Sequence, residues 1–309
     1  MARRGSTQRV LAGQADARRA ASGRGRTGGG TGPGGRRRGP TVLGPERRHG
    51  VTSYWDRSQW PIHALYFLSP LLVVYTLGTL GLDGLRGDDA DRLPPIYAEK
   101  LLSRLFALVN LDHTWMPALL VVVLLVVFHV LRRDPWRPEL KLYPLMLGES
   151  ILYALPLFLL STAAAAAMGS TAQAVAASSP GAAVVLASGF GDQGLGGIGW
   201  SAGLLLAIGA GIYEELMFRV LVITGLHVLF RDVLAFPVRT ANWIAIVGAA
   251  VLFAAYHFAG GGGWHVPLFV FYAVAGLYFG VIYATRGFGV VVATHAVYDI
   301  LAIATHLEV

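Results

Sequence analysis

The sequence predicts an all-α protein, a polytopic integral membrane bundle of about seven or eight transmembrane helices. Hydrophobic residues make up 54% of the 309-residue chain, charged residues only 14%, and the mean hydropathy is +0.55. Several apolar runs approach the roughly 20 residues that cross a bilayer as a helix. The chain has no cysteine, which excludes disulfides, thiolate metal ligands and a cysteine nucleophile. Its chemistry must therefore come from acids, histidines or hydroxyls.

The first 50 residues differ in composition from the rest of the chain. Twelve arginines stand there against only Asp16 and Glu46, so this segment carries more positive charge than the net +7 of the whole chain. It is rich in Gly and Pro and has no apolar periodicity, which is typical of disorder. We predict a disordered Arg/Gly-rich cytoplasmic tail that contacts anionic lipid and does not bind nucleic acid, although an organellar transit peptide has a similar composition.

The remainder, residues 51–309, is predicted to form one membrane domain. An amphipathic stretch at residues 95–110 is predicted to be a helix, either along the outer membrane surface or as a plain connection. Seven apolar segments are predicted to span the membrane, and they lie near residues 61–82, 115–131, 143–168, 198–229, 241–258, 266–284 and 288–306.

Charge sorting around these segments gives the predicted orientation. Cytoplasmic loops of membrane proteins carry an excess of Lys and Arg. With the tail inside, the acidic residues 83–91 fall outside and three basic groups fall inside: Arg132, Arg133, Arg137 and Lys141; Arg231 and Arg239; and Arg286. This sorting predicts an N-terminus in the cytoplasm. The high Gly and Arg content of the chain favours a prokaryotic inner membrane as its location.

Two adjacent acids, Glu214 and Glu215, lie inside an apolar run that also contains Arg219. A charged side chain at the membrane centre costs roughly 2.5–3.5 kcal/mol on insertion scales, so such residues are usually functional. Glu215 and Arg219 are four residues apart and can pair on one helix face, whereas Glu214 points about 100° away. Small residues at helical spacing before Glu214 predict that its face meets another helix closely.

Two later segments carry further ionisable groups. His257 follows Phe253 by one helical turn, and His295 and Asp299 are likewise four residues apart. A single membrane histidine is more often a satisfied core residue than a reactive one. Ionisable groups on three separate spans instead predict a common site.

These residue types suit hydrolysis by an activated water. A carboxylate beside an imidazole can take a proton from water, and a second imidazole can stabilise the oxyanion at an attacked carbonyl. Glu214, His257 and His295 could instead bind zinc with an open fourth position. The helical His-Glu-x-x-His signature is absent, and we favour direct activation while the metal alternative stays open.

The order of these motifs resembles a known family. Glu214-Glu215-x-x-x-Arg219, Phe253-x-x-x-His257 and His295-x-x-x-Asp299 follow one another as in the type II CAAX prenyl-protease family, also called the CPBP family of intramembrane proteases. The resemblance covers about residues 198–306 and implies a helical protease core there.

The resemblance also implies a role for each residue. Glu214 with His257 would activate water, His295 and Asp299 would stabilise the oxyanion, and the supporting residues would be Glu215, Arg219 and Phe253. The best-described members have Asn where this chain has Asp299. An ionised Asp accepts but cannot donate a hydrogen bond, so it cannot act on an oxyanion as Asn does. Three alternatives stay open for Asp299: it is protonated, it orients His295, or it helps bind a metal.

The predicted function is that of an intramembrane endopeptidase acting on a membrane-associated peptide or protein substrate, in or near the bilayer. Two other classes stay open from the sequence. A proton-coupled transporter also uses membrane acids and histidines, and a non-catalytic immunity or scaffold member of the same family would keep the motifs without the activity.

Overall fold

A computed structural model of the chain describes residues 53–80, 96–168 apart from 109, 112 and 114, 200–258 and 264–307. Within these ranges the chain is helical and has no β-strand. The predicted all-α membrane bundle is therefore confirmed. The predicted tail, residues 1–50, and the acidic residues 83–91 lie outside the described residues, and the division into tail and membrane domain stays a prediction.

The helices lie where the apolar segments predicted them. The stretch predicted at 198–229 continues as helix to residue 233 through two π-helical turns, Leu216–Val222 and Leu229–Val233. The α-helices in chain order are α1 Tyr54–Arg57, α2 Pro61–Thr79, α3 Tyr97–Ala107, α4 Met116–Arg132, α5 Leu142–Met168, α6 Trp200–Glu215, α7 Ile223–Val228, α8 Val238–Tyr256, α9 Val266–Arg286 and α10 Phe288–Leu307.

Four of these helices are long and apolar enough to cross a membrane: α2, α5 over Leu142–Ala167, α8 and α9. Helices α4 and α10 are also apolar but shorter. The outer face of α5 is typical of contact with lipid, since Leu145, Leu152 and Leu159 recur every seven residues with 58%, 62% and 65% exposure.

A π-helical turn directly after Glu215 matches the frequent placement of such turns at functional sites.

Helix α10 lies at the centre of the described bundle. It packs against α2, α5, α6 and α9. Its first turns are buried on every side, since Val290, Val291, Val292 and Thr294 have no exposed surface. A helix that is apolar all round is typical of such a central position.

Helices α6 and α10 approach each other through the small-residue face predicted before Glu214. A Cβ atom added at Gly211 would lie 3.0 Å from both the backbone nitrogen of Ala296 and the carbonyl oxygen of Val292. One at Gly203 would lie 3.0 Å from Ile303 Cγ2. The absence of a side chain therefore lets the backbones of α6 and α10 come into direct contact.

Replacing Gly211 by alanine should destabilise the protein by about 1–3 kcal/mol, because overpacking against backbone atoms forces α6 and α10 apart. Gly225→Ala is the matched control, since nothing lies within 4 Å of its Cβ position. In a helix that change is neutral or stabilises by up to about 1 kcal/mol. Thermal denaturation in detergent measures the stability of both purified variants. Equal stability of Gly211→Ala and Gly225→Ala would contradict the close approach of α6 and α10 at Gly211.

Helix α3 confirms the amphipathic helix predicted over residues 95–110. Its inner face buries Ala98 and Leu102, while Leu101, Leu105 and Leu108 are exposed on the outer face. The helix packs against α4 and α6. One face of α3 therefore packs inside the bundle, and the other face presents exposed leucines.

A buried ion pair joins α1, α5 and the end of α9. Arg286 binds Glu149 through two nitrogens, one bond from Nη2 to Oε2 measuring 2.8 Å. Nη2 also donates to Ser58 Oγ at 2.9 Å, and the guanidinium carbon lies 4.0 Å from the ring centre of Trp55. The Tyr54 hydroxyl donates to Glu149 at 2.6 Å, and burial together with that carboxylate raises the pKa of Tyr54. These contacts fasten the segment before α2 to the rest of the bundle.

Candidate active site

Glu214, His257 and His295 meet although they lie on three different segments. Glu214 is near the end of α6, His257 directly follows α8, and His295 is in α10. Oε2 of Glu214 lies 3.9 Å from Nε2 of His257 and 4.0 Å from Nε2 of His295. The three side chains are 90% or more buried. The structure thus places both imidazoles against one oxygen of the same carboxyl group.

The orientation of His257 is set by the backbone of its own helix. Its Nδ1 lies 2.8 Å from the carbonyl oxygen of Phe253, and because a carbonyl only accepts, Nδ1 carries the hydrogen. In the neutral ring the other nitrogen, Nε2, then holds a lone pair, and it is this atom that lies 3.9 Å from Glu214 Oε2. Tyr272 stacks on the imidazole with ring centres 3.9 Å apart. The ring is therefore fixed both in its plane and in its tautomer.

His295 lies between acidic groups on both of its nitrogens. Its Nδ1 is 2.9 Å from Oε1 of Glu215, and its Nε2 is 3.6 Å from Oδ2 of Asp299. Phe279 stacks on the ring at 4.6 Å. Glu215, rather than the Asp299 considered in one of the sequence-based alternatives, makes the close bond that orients the ring.

Glu215 and Arg219 form the close pair that their spacing predicted. The distance from Arg219 Nε to Glu215 Oε2 is 2.8 Å, and neither side chain is exposed. The guanidinium carbon also lies 4.9 Å from the ring centre of Phe253 and 5.7 Å from that of Phe279. Glu215 consequently bridges Arg219 and His295, and the predicted supporting residues contact one another around the site.

Three aromatic contacts at the site were not predicted from the sequence. Tyr272 and Phe279 of α9 stack on the two imidazoles, and the Tyr256 hydroxyl donates to Oε1 of Glu214 at 3.2 Å. Tyr256 has a local signal, because it directly precedes His257. Nothing in the spacing of α9 marks its aromatic residues as neighbours of the histidines at the end of α8 and in α10.

The two imidazoles lie farther from Glu214 than two ligands of one zinc ion lie from each other. Ligand atoms at about 2.0–2.1 Å from a tetrahedral zinc lie about 3.3 Å apart, whereas the two Nε2 atoms are 3.9 and 4.0 Å from Glu214 Oε2. Among the described residues there is no group of three or more His, Asp or Glu side chains placed to hold a metal ion. The zinc alternative therefore gains no support from the geometry.

Comparison with known proteins supports the resemblance noted from the motifs. Residues 197–301, about one third of the chain, match the family described as Type II CAAX prenyl endopeptidase Rce1-like. The chain has no match among curated proteins or solved structures. The matched segment contains α6, α8, α9 and most of α10, and with them every predicted site residue. The match and the apolar helices indicate an integral membrane protein and support a CAAX-type protease function.

Proposed function

We propose that the chain is an intramembrane endopeptidase that hydrolyses a peptide bond with a water molecule activated by Glu214 and His257. The observation that carries the proposal is the 3.9 Å separation between Glu214 Oε2 and His257 Nε2. Both atoms are hydrogen-bond acceptors when the carboxyl group is ionised and Nδ1 of His257 holds the ring hydrogen. Hydrogen bonds of about 2.8 Å from one water oxygen can reach two acceptors at this separation.

A water held in this way is oriented for attack, because both of its hydrogens point into the protein and a lone pair is free for a carbonyl carbon. The water oxygen bonds to that carbon, its proton passes to the Glu214–His257 pair, and the carbonyl electrons move to oxygen. When the C–N bond breaks, the same proton passes to the leaving amine. The sequence of steps needs no covalent enzyme intermediate and regenerates both residues.

His295 is proposed to stabilise the oxyanion. With Nδ1–H donated to Glu215 and a second hydrogen on Nε2, the ring would donate toward the reacting carbonyl oxygen. Asp299, 3.6 Å from the same Nε2, would favour that protonated ring through its negative charge. We therefore propose for Asp299 a role beyond the three considered from the sequence, namely that its negative charge supports the positive charge of His295.

The position of the site supports a proposal for the substrate class. Glu214, His257 and His295 are enclosed by apolar helices, so we propose a membrane-associated peptide or protein cleaved in or near the bilayer. From the charge sorting we further propose a cytoplasmic N-terminus and contact of the basic tail with anionic lipid. From the high Gly and Arg content we propose a prokaryotic inner membrane.

The test is cleavage of a library of labelled membrane peptides by the purified protein. We expect wild type to release product. His257→Ala should lower the rate by about 10²-fold or more, because the water then loses one of the two acceptors that hold and activate it. His113→Ala is the control, since that exposed histidine stacks on Trp115 outside the site. Equal rates for wild type and His257→Ala would contradict the proposed role of this imidazole.

Exhaustive chelation separates direct activation from metal catalysis. Wild-type cleavage should be unchanged after chelation, because Glu214 and His257 need no metal to activate water in this arrangement. The rate is measured before and after dialysis against chelator, and again after addition of zinc. Loss of activity that zinc restores would replace the proposed mechanism by a metal-dependent one.

A further inference from the structure

Helix α3 reaches Glu214 through a tyrosine hydroxyl. The backbone N–H of Ala98 donates to Oη of Tyr256 at 2.8 Å, and the Tyr256 hydroxyl donates to Oε1 of Glu214 at 3.2 Å. Because a backbone N–H can only donate, it occupies a lone pair of the hydroxyl and leaves the hydroxyl hydrogen for the carboxylate. The two bonds form a directed chain from α3 to Glu214.

The donor in α3 is available because of its position in the helix. The first four N–H groups of an α-helix have no partner within the helix, and Ala98 is the second residue of α3. Ala98 is fully buried, so an unpaired N–H there would cost free energy. The Tyr256 hydroxyl satisfies that group, which ties the seating of α3 to the orientation of Tyr256.

Further contacts hold the start of α3 against α2 and α6. The Tyr75 hydroxyl of α2 donates to Oε2 of Glu99 at 2.6 Å. A Cβ atom at Gly209 of α6 would overlap a ring carbon of Tyr75 and Cδ1 of Ile96. The missing side chain at Gly209 therefore makes room for both residues, five positions before Glu214.

We infer that Tyr256 is a positioning residue for the proposed reaction and that α3, which lies outside the family-matched residues 197–301, holds it in place. The inference rests on the proposed function, since the positioned group is the proposed base. With Oε1 of Glu214 bonded to Tyr256, Oε2 is left facing His257 and His295 at 3.9 and 4.0 Å. A seated α3 thus selects the reactive orientation of the carboxylate.

The first test is steady-state kinetics of Tyr256→Phe on a fluorogenic membrane peptide that wild type cleaves. The variant keeps the ring and its packing on Phe218 and His257 but loses the hydroxyl. A hydrogen bond to a charged group contributes about 1.5–3 kcal/mol, so kcat should fall by about 10- to 100-fold. KM should stay unchanged, because the hydroxyl acts on Glu214 and not on the peptide.

Tyr278→Phe is the matched control for this substitution. Its hydroxyl donates to the carbonyl oxygen of Tyr153 at 2.8 Å, so the variant loses a hydrogen bond between α9 and α5 that involves none of Glu214, Tyr256 and the two histidines. It should keep the wild-type kcat. Melting temperatures of the two variants in detergent exclude a general loss of structure as the cause.

Two measurements test the part played by α3. Ala98→Pro removes the donor N–H, and the first turn of a helix tolerates proline; it should lower kcat to the level of Tyr256→Phe, and the double variant should be no slower. Hydrogen exchange tests the same bond without a change in the backbone. The first turn of α3 should exchange faster in Tyr256→Phe than in wild type or Tyr278→Phe.

Each outcome decides one part of the inference. If Tyr256→Phe keeps full kcat while Glu214→Gln is inactive, the positioning role alone is overturned. A raised KM of Tyr256→Phe at unchanged kcat also overturns it, because the hydroxyl would then contact the substrate. A slow Tyr256→Phe with wild-type exchange in α3 removes the role of the helix. An active Glu214→Gln removes the proposed function itself.

Discussion

Glu214→Gln should lower kcat by about 10³-fold or more while the protein stays folded. The amide has the shape of the carboxyl group and can still accept from Tyr256, but it cannot take a proton from water. General-base catalysis contributes about 10²–10⁴-fold, and the loss falls on kcat because the carboxylate acts on the water and not on substrate binding. The measurement is kcat and KM on a cleaved membrane peptide, with the melting temperature in detergent.

Glu139→Gln is the control for charge removal. Glu139 pairs with Arg57 at 2.5 Å, but its side chain is 40% exposed and lies outside the site. This variant should keep the wild-type kcat. A Glu214→Gln enzyme with more than about one tenth of the wild-type kcat would be too active for the loss of a general base.

Arg286→Met should lower the free energy of unfolding by about 3–5 kcal/mol, because it leaves the buried carboxylate of Glu149 without its cation. The side chains of the pair are only 4% and 10% exposed. The methionine retains an apolar stem near Trp55, so the loss reports mainly the missing charge. Chemical denaturation in detergent, followed by circular dichroism, measures the difference.

Two variants separate the ion pair from simple packing. Replacing both partners, Arg286→Met with Glu149→Leu, should restore much of the stability, since an apolar pair no longer leaves a buried charge. Arg57→Met breaks a more exposed pair, with side chains 28% and 40% exposed, and should cost about 1 kcal/mol or less. If the Arg286→Met protein is as stable as Arg57→Met, the buried ion pair does not hold α1, α5 and α9 together as described.

Helix positions were predictable because each apolar run is close to the length that one span requires. The runs at 61–82 and 266–284 became α2 and α9 within a few residues. The neighbours of each helix were not predictable in this way. Gly211 shows that α6 meets another helix closely, but only the structure shows that α10 is the partner, since small residues favour contact without specifying with which helix.

In the site, too, contacts within one helix were predictable and contacts between distant residues were not. The pairing of Glu215 with Arg219 is fixed by helical spacing and was predicted. The bond between Glu215 and His295 joins residues 80 positions apart, so it depends on how α6 packs on α10. The link from Ala98 to Tyr256 spans 158 positions and uses a backbone group, which leaves no signal in side-chain chemistry.

The most direct test of the central claim, that Glu214 and His257 act on one water as a unit, is a double-mutant cycle. Single-turnover rates with enzyme in excess are compared for wild type, Glu214→Gln, His257→Ala and the double variant. Residues that act as a unit are strongly non-additive, so the double variant should be no slower than the slower single variant. Losses that multiply would show two independent contributions and contradict the shared water.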